Sequence, residues 1–282
     1  MNTQTPLDTA NHSRDSAGMT YVYPVVSRRA GGVSIGINLN PNNACNWRCI
    51  YCQVPDLVRG SAPAIDLEQL DRELRQMLQD IVQGEFLQQR VAEGARHLED
   101  IAFSGNGEPT SAKEFPASIA IVEQAMRDYG LLGKIKLRLI TNGSQMDKPE
   151  VLQAVAHLAR CNGEVWFKVD AATTEGIARI NDVRLKPQGV VDRLRNCACQ
   201  CPTWVQACVF ALDGAPPEEA EITAWLELLQ SVAPDLAGVH LYGLARPSMQ
   251  AKAPRLSRLS EAWMEALAER VRQLGLTVHV SP

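Results

Sequence analysis

The sequence predicts an α/β fold, because strand-like and helix-like segments alternate along the chain. Six strand–helix units follow one another, and this order implies a parallel sheet with right-handed crossovers. The length of 282 residues allows one substantial core, and 45% hydrophobic and 21% charged residues are ordinary for a globular protein. Periodicity alone leaves two architectures open, an open doubly wound sheet and an incomplete (β/α)6 barrel.

The first three units follow from apolar periodicity. Leucines recur at helical spacing in the first helix, and apolar residues alternate with Lys136 and Arg138 in the third strand. The predicted strands are residues 33–39, 100–103 and 134–141, and the helices that follow them are residues 66–82, 114–129 and 151–159.

The last three units repeat the pattern. The final helix is the clearest, because Ser260 is a suitable N-cap and Gly275 follows the last apolar position. The predicted strands are residues 164–169, 203–212 and 238–244, the helices are residues 176–195, 218–232 and 261–274, and a short strand at 276–280 ends the series.

Charge and hydropathy limit the classes of function. Residues 1–20 are polar, so we expect a flexible N-terminal tail rather than a signal peptide, and we expect residues 21–282 to form a single domain. No stretch approaches the roughly 18 continuous apolar residues of a membrane span, so the expected location is the cytoplasm. A net charge of −4 disfavours a nucleic-acid partner, although a local basic patch is compatible with it.

Three cysteines lie close together after the first predicted strand. They are Cys45, Cys49 and Cys52 in the run CNWRCIYC, and Pro41 precedes them in a segment that predicts an exposed loop. Close spacing in a reducing compartment indicates metal or redox chemistry rather than disulfides. Three thiolates leave one metal of a four-metal cluster open for another ligand.

The arrangement C-x3-C-x2-C, with Tyr51 just before the last cysteine, resembles the signature loop of the radical S-adenosylmethionine (SAM) superfamily. The resemblance implies a partial (β/α)6 TIM-like barrel with its active site at the carboxyl ends of the strands. It also implies that Cys45, Cys49 and Cys52 ligate a [4Fe–4S] cluster whose fourth iron binds SAM. The reduced cluster would cleave SAM to methionine and a 5′-deoxyadenosyl radical, which abstracts hydrogen from a substrate.

A second motif, SGNGEPT at residues 104–110, follows the predicted strand at 100–103. It resembles the superfamily's "GGE" loop, and the resemblance implies contacts to the SAM amino group. On its own, a Gly-x-Gly turn is weak evidence for a binding site. The cofactor-binding residues that this loop supplies are Ser104, Gly105, Asn106, Gly107 and Glu108.

Polar residues also close later strands, where side chains of a barrel converge. By resemblance, Asn142, Lys168 and Asp170 contact the ribose and carboxylate of SAM. Tyr51 and the strand end formed by Leu241, Tyr242 and Gly243 flank the adenine through backbone and apolar contacts. Turn or cap roles are the alternative for each of the polar residues.

A narrower resemblance spans residues 23–245. The segments SRR, GINL and GNGEPT resemble the branch of tRNA wyosine synthases and related iron–sulfur oxidoreductases. The chain has no cysteine before Cys45 for the second cluster of those synthases, and its net charge does not support tRNA binding. The resemblance therefore implies the chemistry of this branch, with an unidentified substrate.

The remaining cysteines are interpreted as ordinary thiols. Cys199 should face away from Cys197 and Cys201 in an extended segment, and the spacing C-x-C-x-C differs from common zinc patterns. An auxiliary cluster that includes Cys208 is the less favoured alternative. Separately, Arg28, Arg29 and Arg246 are either solvated surface residues or ligands of an anionic substrate, because they flank the open side of the predicted barrel. 

The leading hypothesis is a radical SAM enzyme that takes electrons from a cellular reductant such as flavodoxin or ferredoxin. The alternatives are a tRNA-base-modifying enzyme of the wyosine branch, an iron–sulfur electron-transfer protein without SAM chemistry, and a zinc-binding interaction module.

Overall fold

The computed structural model describes Leu7 and residues 17–282. The tail predicted at residues 1–20 lies outside this part of the chain, apart from Leu7 and residues 17–20. No described helix is both long and apolar enough to cross a membrane.

One sheet of eight strands organises the molecule, and its strand order is the chain order. The first strand pairs antiparallel with the second, and all later neighbours pair in parallel. The strands are β1 (Val22–Val26), β2 (Val33–Ile37), β3 (Leu98–Phe103), β4 (Lys136–Thr141), β5 (Gly163–Lys168), β6 (Thr203–Cys208), β7 (Gly238–Tyr242) and β8 (Val278–Ser281).

The helices form a layer against the sheet, because most of the long helices contact the next long helix along the chain. They are α1 (Leu67–Val82), α2 (Phe86–Arg90), α3 (Phe115–Asp128), α4 (Pro149–Arg160), α5 (Thr174–Asn181), α6 (Pro187–Ala198), α7 (Glu219–Val232) and α8 (Glu261–Arg272). A doubly wound sheet would reverse its strand order partway. The unreversed order of parallel strands is that of a partial barrel, so the predicted fold class is confirmed.

Local signals explain where several elements begin. The Asp66 side chain accepts a hydrogen bond from the Gln69 amide at the start of α1, and Ser260 caps α8 through the Trp263 amide as predicted. Pro187 stands at the first position of α6, where its missing N–H costs nothing.

Most predicted boundaries lie within two residues of the observed ones, but two predicted elements and one unpredicted strand differ more. The helix predicted at 176–195 is two helices, because Asp182 adopts a left-handed conformation (φ 55°) after α5 and Pro187 restarts the helix. The strand predicted at 203–212 ends at Cys208, and Ala211–Leu212 pairs with Leu256–Ser257 instead. Strand β1 was not predicted, and its Pro24 is tolerated because β1 is an edge strand.

Candidate active site

A cavity of about 660 Å³ opens inside the partial barrel. Side chains at alternate positions of the strands face it, as the two-residue period of a strand requires. We call the segments 43–52, 104–108, 141–144 and 168–170, which follow or end β2 to β5, the rim. The inward-facing side chains deeper in the strands are the floor, namely Ser34, Asp100, Arg138, Trp166 and Gln206.

The three predicted cluster cysteines all line this cavity. Cys45, Cys49 and Cys52 are partly exposed and form no disulfide. Burial raises the pKa of the Cys45 thiol to about 11 and that of Cys49 to about 12. Such thiols ionise when a metal supplies compensating positive charge, so the three together fit the ligands of an iron–sulfur cluster.

Hydrogen bonds tie the cysteine loop to the end of β4. Asn142 Nδ2 donates to Asn46 Oδ1 over 2.8 Å, and Asn46 Nδ2 donates to Ser144 Oγ over 2.7 Å. On its outer side, Arg59 donates to the Asn46 carbonyl over 2.9 Å. Asn46 is therefore fixed from both sides, which restricts the loop between Cys45 and Cys49.

Asp170 fixes the other half of the loop. Its Oδ2 accepts hydrogen bonds from Tyr51 Oη (2.6 Å) and Asn181 Nδ2 (2.8 Å), and its Oδ1 accepts one from the Cys208 amide (3.0 Å). Asn181 Nδ2 also lies 3.3 Å from Cys49 Sγ. Asp170 is thus a positioning residue for Tyr51 and Cys49.

Lys168 ends β5 beside two tyrosines. Its Nζ donates to Tyr51 Oη and Tyr242 Oη, each over 3.2 Å. Burial opposes its charge, yet the neighbouring oxygens of Tyr242 and Asp170 raise the pKa of Lys168 above its ordinary value. Lys168 lines the cavity, and its raised pKa keeps its amine protonated there.

The two glycines of the GNGE motif allow close packing of two loops. Gly105 has φ +132°, and a Cβ there would lie 2.5 Å from Asn38 Oδ1. A Cβ on Gly107 would collide with the Ala44 carbonyl. Both positions therefore require glycine so that this turn can pack under the chain leading to Cys45.

Glu108 joins β3 to β4. Its Oε1 accepts from Thr110 Oγ1 and Thr141 Oγ1, both over 2.6 Å, and its Oε2 accepts from the Asn142 amide over 2.6 Å. Burial raises the pKa of this carboxyl, while these hydrogen bonds oppose the shift. By contrast, Asn106 Oδ1 is buried without a partner among the described residues, and Asn106 lines the cavity.

All predicted site residues except Asp170 and Leu241 line the cavity. The Leu241 side chain is 0% exposed in the main hydrophobic core, because it alternates with the inward-facing Tyr242. An apolar adenine contact from the Leu241 side chain is therefore wrong, whereas Tyr242 and Gly243 of the same predicted strand end line the cavity. Asp170 was expected to contact SAM. In the structure it does not line the cavity, and its Oδ2 accepts a hydrogen bond from Tyr51 Oη.

The later cysteines separate into different environments. Cys197 and Cys201 are buried and Cys199 is exposed, but the segment is the end of α6 rather than an extended strand. Cys208 lies at the far end of β6 and lines the cavity. The extended-strand argument was therefore wrong for this segment.

The floor residues were missed by sequence reasoning. Arg138 donates to Asp100 and, over 2.7 Å, to Glu164, and Ser34 donates to Asp100. Trp166 Nε1 donates to Glu164 over 2.9 Å. A signal existed, since these polar residues occur at alternate positions within otherwise apolar strands.

The chain is similar to known proteins in sequence and in fold. A model of the Radical SAM superfamily matches residues 39–226, about two thirds of the chain. Over 128 residues the chain is 27% identical to the GTPase Obg of Brachyspira hyodysenteriae, which is 45% of this chain and only 16% of that protein. The sequence contains no G-x4-G-K-[S/T] phosphate-binding motif, so this similarity carries no nucleotide activity to the chain.

Several solved structures share the fold. SuiB of Streptococcus suis bound to S-adenosylmethionine gives a TM-score of 0.53 at 13% identity, over 87% of this chain and 45% of that chain. A radical SAM methyltransferase from Sphaerobacter thermophilus gives 0.55 at 14% identity, over 88% and 66%. TYW1 with a bound lysine-pyruvate adduct gives 0.55 at 15% identity, over 86% and 74%. Identities this low show the fold alone.

The family model covers more than half of the chain, and its match includes the cysteine loop and the GNGE loop on the cavity rim. The chain therefore belongs to the Radical SAM superfamily, whose cofactors are S-adenosylmethionine and a [4Fe–4S] cluster.

Proposed function

We propose that this protein is a radical SAM enzyme that cleaves SAM reductively and abstracts hydrogen from a small substrate inside the cavity. In this proposal Cys45, Cys49 and Cys52 ligate three irons of the cluster. The observation that carries the proposal is the position of these three thiols and the GNGE loop on the rim of one cavity.

The donor set on the rim fits both cofactors. Three thiols leave one iron for SAM, and the free Asn106 Oδ1 is an acceptor for the SAM amino group. The backbone of Gly105 and Gly107 lies beside it. When bound, the cluster supplies one electron to the sulfonium of SAM, which yields the 5′-deoxyadenosyl radical.

The protein's own side chains position these groups and limit access to them. Asp170 fixes Tyr51 and, through Asn181, the segment carrying Cys49. The Lys168 ammonium offers a charge-assisted donor for an anionic group of SAM or substrate. Because the cavity lies within the partial barrel, it restricts the access of water and limits side reactions of a radical.

The wyosine-synthase-like branch is part of the proposal for the chemistry. It is supported by the SRR, GINL and GNGEPT segments and by the fold similarity to TYW1. The net charge of −4 favours a small substrate over tRNA. We propose a cytoplasmic enzyme that receives electrons from a flavodoxin or ferredoxin.

Anaerobic reconstitution with iron and sulfide, dithionite reduction and chromatographic assay for 5′-deoxyadenosine test the proposal. We expect the wild type to form 5′-deoxyadenosine from SAM and the Cys49→Ala variant to form none. The matched control is Cys199→Ala, since Cys199 is exposed and does not line the cavity.

Other outcomes point to the alternatives. A full cluster whose EPR signal ignores added SAM would indicate electron transfer without SAM chemistry. Zinc in place of iron after reconstitution would indicate a zinc-binding module. Binding of tRNA at moderate salt would favour base modification within the same branch.

A further inference from the structure

The floor of the cavity contains an amide with no partner. Gln206 is 0% exposed, and neither its Oε1 nor its Nε2 has a hydrogen-bond partner among the described residues. Its side chain lines the cavity. A buried carboxamide that lacks partners has lost its hydration without compensation, so it is suited to a ligand with matching polar atoms.

Arg29 lies over the same part of the floor. Its guanidinium carbon is 5.2 Å from the Trp166 ring centroid and 4.9 Å from that of Tyr242. Trp166 on β5 and Tyr242 on β7 flank β6, where Gln206 pairs in register with Lys168 and His240. The guanidinium therefore contacts side chains from the two strands on either side of the strand that carries Gln206.

The charge of Arg29 is not compensated. Within residue 7 and residues 17–282, Arg29 has cation–π contacts but no ion pair with a carboxylate. Arg138, the other guanidinium on Trp166, is paired with Asp100 and Glu164.

Lys168, like Arg29, makes no ion pair with a carboxylate among the described residues. Lys168 contacts only hydroxyl groups in its hydrogen bonds. Burial, followed by the charges of His279, Arg29 and Arg138, lowers the pKa of His240 to about 3, so His240 is neutral. The acids around this part of the cavity already have partners: Asp100 and Glu164 pair with Arg138. Asp170 accepts hydrogen bonds from Tyr51, Asn181 and the Cys208 amide.

We propose that the substrate is a small organic acid whose carboxylate binds between Arg29 and Gln206. The guanidinium donates to the carboxylate in the bidentate geometry that such pairs prefer, and Gln206 Nε2 donates a further hydrogen bond. The carbon body of the acid then packs against Trp166 and extends toward the rim. This inference rests on the proposed function for the identity of the site and adds its substrate class.

Calorimetric titration of the reconstituted, SAM-saturated enzyme without reductant tests the proposal. The probes are acetate and benzoate, each compared with its amide, acetamide and benzamide. We expect at least one carboxylate to bind saturably and about tenfold or more tighter than its amide, because only the anion pairs with Arg29. Binding of neither carboxylate, or equal binding of acid and amide, would overturn the proposal.

Variants assign the site. Arg29→Gln and Gln206→Leu should each weaken the carboxylate about tenfold, and Arg29→Lys should weaken it less because it keeps the charge but loses the planar fork. Arg270→Gln is the control, since Arg270 pairs with Glu219 on the outer surface. Unchanged affinity in Arg29→Gln contradicts the proposal.

Two further readouts separate this inference from the proposed function. If carboxylate and SAM displace each other, the site belongs to the SAM carboxylate and the proposal fails. The same preparations are assayed for 5′-deoxyadenosine. Cleavage of SAM without carboxylate binding refutes only the substrate class, whereas carboxylate binding without cleavage refutes only the proposed function.

Discussion

Two carboxylates of the rim differ from one amide of the floor in how their polar atoms are satisfied. On the rim, Glu108 and Asp170 each accept three or more hydrogen bonds from the protein itself. Gln206 on the floor, and Arg29 on the β1–β2 turn, have no polar partner within the described chain. A buried polar group with all its partners acts as scaffold, whereas one without partners is available to a ligand. Substitutions at Glu108 and at Gln206 should therefore change stability in opposite directions.

The largest effect on stability is expected at Glu108. In Glu108→Gln, the new NH₂ group faces an amide or hydroxyl donor whichever way it is oriented, so hydrogen bonds to a buried carboxylate are lost. We expect a loss of about 3 kcal/mol, or roughly 6 °C in Tm, by anaerobic thermal unfolding of the reconstituted protein. The exposed Glu93→Gln is the control. A Tm within a degree of wild type would remove Glu108 from the scaffold of the rim.

The positioning role of Asp170 can be tested by measuring the rate of SAM cleavage. Asp170→Asn weakens the hydrogen bonds that position Tyr51 and Asn181 behind Cys49. Partners of metal ligands typically contribute 10–100-fold to affinity or activity, so we expect SAM cleavage to slow by about that factor. The EPR signal of the SAM-bound cluster should shift as well, while Asp192→Asn on the outer face of α6 changes neither. An unaltered rate and signal would contradict a positioning role.

Beside the floor, His240 makes stability depend on pH. His240 is 8% exposed, and its ring packs against Trp166 and Trp204 at centroid distances of 4.5 and 4.8 Å. The folded pKa of about 3 lies below the ordinary value of 6.5, so the unfolded state binds a proton first and stability falls as pH drops below 6.5. At pH 5 the loss is about 2 kcal/mol.

Replacement of His240 by phenylalanine keeps the aromatic packing and removes the titrating group. We expect His240→Phe to lose less stability than wild type between pH 7 and pH 5, by roughly 4 °C in Tm. If the Tm of both proteins fell equally between pH 7 and pH 5, His240 would not be the group responsible for the pH dependence.

The smallest effect, with the opposite sign to that on the rim, is expected at Gln206. Gln206→Leu replaces an unpartnered buried amide by an apolar side chain of similar size, so we expect a gain of about 1 kcal/mol, or roughly 2 °C, in the absence of substrate. Gln206→Glu adds a buried charge and should lower the Tm instead. A loss of Tm in Gln206→Leu would mean that Gln206 is part of the scaffold, and the contrast between rim and floor would fail.

The sequence predicted the rim better than the floor, because the rim is local in the chain. Three thiols within eight residues and a GNGE turn after a strand are contiguous patterns. The alternation of strands and helices was equally local. In contrast, the pairing of Arg138 with Asp100 and Glu164 joins three different strands, and no spacing within one segment reveals it.

The errors have the same origin. Asn181 reaches Cys49 across 132 positions of the chain, so only the folded structure brings them together. Leu241 and Tyr242 both end β7, and a one-residue choice decided which of them faces the cavity. Strand β1 was missed because Pro24 argues against a strand until its place at the sheet edge is known.

The connection between β1 and β2 has a consequence for engineering. Arg29 is carried by this turn, outside the parallel strands, and its neighbour Arg28 donates to the carbonyl of Pro282 beyond the opposite edge strand β8. The residues that fix the cysteine loop, by contrast, all lie elsewhere in the chain. If the proposed function holds, exchange of this turn alone would change the charge at the cavity without touching the residues that fix the cysteine loop, so substrate selectivity could be redesigned separately from SAM cleavage.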